Sequence, residues 1–168
     1  EMCIRDSYND LAKQAPHMVC EKHATNVSTN LIVNQFKPPF DNADIRKAMV
    51  LTIDRAAFNK ILGHGEFIMS GALLPPPHGV WGMPPEVLKN VAGYHPDVAA
   101  NRAEAQKIMK KLGYGPDNPL KIKVATRNIA IYRDPAVLLI DHLKEIYIEG
   151  ELDTCLLYTS PSPRDKRL

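Results

Sequence analysis

The sequence predicts an α/β protein, and three observations carry that expectation. Helix-period apolar stripes recur at Ile45, Ala48, Met49, Thr52 and Ile53, at Ala105, Ile108, Met109 and Leu112, and at Ala136, Leu139, Ile140, Leu143 and Ile146. Strand-like runs fall between them: the continuous Leu31-Ile32-Val33 and the alternating Lys121-Ile122-Lys123-Val124-Ala125. Proline, glycine and capping residues mark each change of period, so strand and helix alternate along the chain.

Each element has its own warrant. Tyr8 to Gln14 suits a short helix stopped at Pro16, and His17 to Cys20 suits a strand. Thr29 to Asn34 reads as a strand covered on both faces, because its centre is apolar without alternation. Pro38-Pro39 locks the turn that follows, and Asp41 or Asn42 can cap a helix carrying the Ile45 stripe. Phe58, Ile61 and Leu62 repeat the pattern in a second helix, which Gly63 would stop in a left-handed conformation. Asp54 and Arg55 suggest an ion pair at the helix junction.

Residues 64–95 read as a long ordered loop with one helical turn at Pro85 to Lys89. Asn101 with Glu104 fits a capping box for the next helix, which ends at Gly113. After the 121–125 strand, Asp134-Pro135 supplies a cap and a first-turn proline for the Ala136–Ile146 stripe. Glu151 to Thr154 begins a further strand.

The motifs of catalysis are sparse. Gly63-His64-Gly65 lacks the third glycine and the preceding strand of a dinucleotide fingerprint. His64, His78 and His95 lie in loops without metal-ligand spacing, so no metal site is expected. Asp41 and Asp44 are explained by helix capping. Cys20 with His23 supplies a nucleophile and a base but no orienting third group, and a chance pair is the simpler reading. No catalytic residue and no cofactor is expected. The single Trp81 reads as a loop anchor against the core.

One run stands out: Asn34-Gln35-Phe36-Lys37-Pro38-Pro39-Phe40-Asp41, then Ile45-Arg46-Lys47-Ala48, then Ile53-Asp54-Arg55. It resembles the second-lobe entry segment of the peptide-type (family 5) extracellular solute-binding proteins that serve ABC importers. The resemblance continues through Gly71 to Pro77, through Asn101 to Tyr114, and through the strand and helix from Leu120 to Ile146. It covers about residues 26–154. It implies a fragment of a periplasmic-binding-protein type II lobe, with a mixed sheet flanked by helices. It also implies a small peptide or peptide-like ligand, ABC permease membrane subunits as partners and a monomer in full-length form. The implied location is periplasmic, with the signal peptide absent from this fragment.

The two ends read differently. Residues 1–7 and 155–168 resemble translated sequencing-adapter sequence, so the expected organisation is a partial solute-binding lobe at 8–154 between two artefactual extensions. Both ends are expected to pack poorly. The chain holds 21 Lys+Arg and 19 Asp+Glu; four and three of these lie in the ends, leaving 17 and 16. Near-neutrality argues against nucleic acid as a partner. Cys20 is the only cysteine outside the ends, and one thiol forms no internal disulfide.

Ligand contact needs only polar or aromatic groups facing a cleft. In open α/β sheets, ligands sit beyond the carboxyl ends of strands, near helix N-termini. Arg127 and Asn128 through Tyr132 occupy that position after the 121–125 strand, and the resemblance places this loop at the inter-lobe cleft. Arg127 can pair with a carboxylate, and Tyr132 can stack or donate. Asn30, on the other candidate cleft strand, is the fourth expected ligand contact. Two alternatives stand beside the receptor: a small α/β hydrolase-like enzyme using Cys20 and a histidine, and a stand-alone interaction module. A lobe fragment should also leave an exposed sheet edge and an apolar patch.

Overall fold

Leu120, Ile122 and Val124 are buried while Lys121, Lys123 and Ala125 are exposed, so the sheet has one covered face and one charged face. The structure, a computed structural model, describes residues 13–15, 17, 19, 30–65, 67 and 83–155. Its elements run α1 (Ala43–Thr52), α2 (Arg55–Leu62), α3 (Pro85–Leu88), α4 (Val98–Lys111), β1 (Leu120–Arg127), α5 (Ala130–Lys144) and β2 (Ile148–Cys155). β1 and β2 pair in parallel, Leu120 opposite Ile148 through to Arg127 opposite Cys155, with α5 as the crossover.

The core lies between this βαβ unit and the helices on its covered face. Helix α1 packs on α4 and α5, and α5 packs on both strands. Met109, Leu143, Ile146 and Ile148 are fully buried. Each contributes about 1.5–3 kcal/mol relative to an exposed position. The stripes expected at Ala136, Leu139, Ile140, Leu143 and Ile146, and at Ile45, Ala48 and Met49, are all buried. On the open face Lys121 stands opposite Glu149 and Lys123 opposite Glu151.

Local chemistry settles the caps. Asn42 rather than Asp41 caps α1, accepting from the Asp44 N–H. Arg46 of α1 turns back to donate to the carbonyls of Phe40 and Asp41, which ties the double-proline turn to the helix. Helix α4 ends as expected: Gly113, at φ 87°, lets its N–H reach Lys110 O and that of Tyr114 reach Met109 O.

Several expectations are corrected. Residues 30–34 form no strand; Leu31 is 44% and Ile32 89% exposed, because no described strand hydrogen-bonds alongside them. Asp54 and Arg55 do not pair. Asp54 caps α2 through the Ala57 N–H, while Arg55 donates to Gly93 O and lies 4.0 Å above the Tyr94 ring. Gly63 ends α2 at φ −108°, and the positive φ angles at this helix end fall on His64 and Gly65. Ile61, expected on the buried face of α2, is 56% exposed.

The helix starts also move. Asp97 caps α4 through the Ala100 N–H, so the helix begins before the expected Asn101–Glu104 box. Glu104 instead pairs with Lys47 of α1 at 2.8 Å. Helix α5 begins at Ala130, with Pro135 inside it. Its first turn closes through the N–H groups of Tyr132 and Arg133 on Ile129 O, which needs no donor from Pro135.

Of the short helix expected at 8–14, Lys13 and Gln14 are described and helical. His17 sits in a turn and Val19 in no strand. Cys20, His23, His78, Trp81, the Pro75-Pro76-Pro77 run, residues 1–7 and residues 156–168 lie outside the described residues.

Candidate functional site

The carboxyl end of β1 and the amino end of α5 meet at a two-residue turn, Asn128-Ile129. The Ile129 N–H donates to Arg127 O at 2.8 Å, which folds the chain back sharply. Thr126 Oγ1 donates to Tyr132 O at 3.3 Å and ties the strand end to the first helical turn. As a result the Arg127 guanidinium carbon sits 5.5 Å from the Tyr132 ring centroid, within cation–π range. Both residues are exposed, Tyr132 by 40%.

The electrostatics at this corner favour an anion. Ile129 is the N-cap of α5, and no side chain caps the helix. The leading N–H groups carry the positive end of the helix dipole, and the cationic Arg127 precedes them in the chain by the two-residue turn. Arg133, also in the first turn, is paired with Asp134 at 3.3 Å. A carboxylate placed here would meet backbone donors and a guanidinium together. Three of the four expected contacts, Arg127, Asn128 and Tyr132, are therefore neighbours. Asn30 stands exposed at the head of the irregular segment 30–34, away in sequence from the residues that build this corner.

The corner is a wall rather than a pocket. Two recesses among the described residues lie elsewhere. One, of about 350 Å³, opens on the charged sheet face between Lys121, Lys123, Glu149 and Glu151. The other, of about 700 Å³, is an open groove among Ile61, Val137, Leu138 and Leu152 at the meeting of α2, α5 and β2. Ile61 and Val137, both more than half exposed, give this groove an apolar lining.

Sequence reasoning missed one polar cluster. His142 of α5 is 6% exposed and contacts the α1–α2 junction. Its Nδ1 accepts the Asp54 N–H at 3.4 Å, its carbonyl accepts from Thr52 Oγ1 at 3.0 Å, and its ring meets Phe58 edge-on at 5.3 Å. Burial, with Arg102 adding to it, holds the imidazole below its ordinary pKa of 6.5. The available signal was its place beside the Leu139–Leu143–Ile146 stripe. His64 and His95 are exposed, and among the described residues no group of three His, Cys, Asp or Glu side chains could hold a metal. No described helix is long and apolar enough to cross a membrane.

The family model for bacterial extracellular solute-binding proteins, family 5 (middle), matches residues 4–155. The chain belongs to this family. The periplasmic oligopeptide-binding protein OppA of Haemophilus influenzae is 30% identical over 96 residues, covering 55% of this chain and 16% of that protein. The crystal structure of that OppA in complex with RPPGFSPFR superposes with a TM-score of 0.60 and 25% identity, over 73% of this chain and 24% of that one. The murein tripeptide binding protein MppA of Escherichia coli superposes at 0.66 and 20% identity, over 92% of this chain and 30% of that one. The fold of this family 5 chain is thus part of a type II periplasmic-binding-protein lobe. The chain spans under a third of the length of each of these relatives.

Proposed function

We propose that this family 5 chain is part of the substrate-binding component of an ABC importer, and that it holds peptides or peptide-like solutes without transforming them. The observation that carries the reading is the Arg127–Tyr132 corner at the uncapped start of α5. In this reading Arg127 pairs with a ligand carboxylate, Asn128 and the leading α5 N–H groups add hydrogen bonds, and Tyr132 covers the ligand's apolar part. Asn30 contributes a further polar contact from segment 30–34. An opposing lobe would grip the other side, and closure about a hinge would present the loaded form to the permease subunits. The relatives support an exported, periplasmic setting, since the H. influenzae relative carries that description.

The test uses the chain as it stands. Isotope-labelled protein is titrated with trialanine and with its C-terminal amide, and backbone NMR shifts are followed. The expected result is saturable shifts at residues 126–132 with the free carboxylate, and weaker ones with the amide. Shifts of equal size for the two peptides would remove Arg127 from the site.

A further inference from the structure

The α1–α2 junction is held onto α5 by a polar knot centred on two buried residues, Thr52 and His142. Thr52, the last residue of α1, is fully buried. Its carbonyl accepts from Arg102 Nε of α4 at 3.3 Å, and its hydroxyl donates to His142 O. Two residues later, the Asp54 N–H points at His142 Nδ1, while the Asp54 carboxylate caps α2. Phe58 of α2 closes the other side of the imidazole. The junction therefore relies on His142 in one protonation state and one tautomer, with Nδ1 bare and any ring proton on Nε2.

We propose that His142 is a proton-sensitive latch that holds the α1–α2 turn on α5 when neutral and releases it on protonation. A proton on Nδ1 converts the acceptor into a donor, and two N–H groups then face each other across the Asp54 contact. The charge must also be accommodated in a site that is 6% exposed and feels the Arg102 guanidinium, which repels it. Three carboxylates act the other way: Asp54 from the α1–α2 turn, and Asp141 and Glu145 from α5 itself. Burial and Arg102 outweigh them, and the imidazole stays neutral at pH 7. Acidification then opens the turn that positions α2, while the fully buried Leu143, Ile146 and Ile148 keep the βαβ unit closed. The latch stands apart from the Arg127 corner and does not depend on how ligand is bound.

The experiment follows the His142 imidazole by NMR titration, together with the hydrogen-exchange protection of the Asp54 amide corrected for intrinsic rates. The His142→Asn variant is run in parallel, because the Asn Oδ1 can accept in place of Nδ1 without titrating. In the wild type, Asp54 protection should fall about tenfold, the loss of one hydrogen bond, with the same midpoint as the imidazole and below pH 6.5. Protection of the Leu120 amide, bonded to Tyr147 O in the sheet, should stay flat, as should that of Asp54 in the variant. An imidazole midpoint at or above 6.5, or Asp54 protection unchanged through the titration, overturns the latch. If the variant does not fold, the coincidence of the two wild-type midpoints still decides.

Discussion

Thr52 and His142, separated by 90 positions in the chain, are joined by a buried hydrogen bond of 3.0 Å from the threonine hydroxyl to the histidine carbonyl. The same carbonyl accepts the Glu145 N–H at 3.3 Å, so removing the hydroxyl does not orphan it. Thr52→Val should therefore cost only about 1 kcal/mol, the net worth of one buried hydrogen bond. Thr52→Ser keeps the hydroxyl and loses one methyl, about 0.8 kcal/mol by transfer arithmetic. Urea denaturation of both variants checks the prediction, and a Val variant as stable as wild type would show that the bond contributes nothing net.

Global stability should depend on pH through His142, with a sign set by its lowered pKa. The unfolded chain takes up a proton near the ordinary 6.5, whereas the folded chain takes it up only at lower pH. The stabilisation from the neutral imidazole is complete above 6.5 and is lost as pH falls from there to the folded pKa. The slope of unfolding free energy against pH should be positive in that window and smaller in His142→Asn. Equal slopes in the two proteins would assign the dependence to other groups.

Glycine substitutions should separate strain from collision. Gly93 has φ 81°, and a Cβ there would collide with Val50 O, a backbone atom that cannot swing away. Gly113 has φ 87° but nothing within 4 Å of a built Cβ. Gly113→Ala should cost roughly 1–2 kcal/mol from backbone conformation alone. Gly93→Ala should cost clearly more, because the 83–97 connector must also lift from α1. Thermal melts of the pair give the order directly, and near-equal losses would refute the close approach at Val50.

Arg127→Ala should weaken binding of a carboxylate-bearing peptide by about 1.5–3 kcal/mol, the worth of a charge-assisted hydrogen bond. Stability should barely move, since Arg127 is exposed and gives up only its contact with Tyr132. Calorimetric titration beside a thermal melt tests both halves. A variant that loses stability and keeps its affinity would make the pair a structural contact.

How legible the chain is depends on the range of the interaction concerned. The α1 stripe, the α4 stripe ending at Gly113, the alternation of β1 and the inner face of α5 could all be read directly, because period and punctuation encode local hydrogen bonding and burial. The family resemblance was legible for the same reason, resting on the order of such segments. The corner of Arg127, Asn128 and Tyr132 was foreseeable because strand end and helix start are adjacent in the chain.

Other features were decided only in three dimensions. Leu31-Ile32-Val33 carries the composition of a covered strand, yet a strand exists only where another supplies its ladder. Asn101 and Glu104 have the spacing of a cap, but Asp97 starts α4 earlier and leaves Glu104 to reach Lys47, 57 positions away. The sequence determined the helices carrying the Ile45, Ala105 and Ala136 stripes and the covered face of β1, because those preferences are set within a few residues of backbone. The tertiary structure decided that His142 would be buried against Thr52, Asp54 and Phe58. A side chain's partner across 90 positions depends on how whole elements pack, and no local period records that.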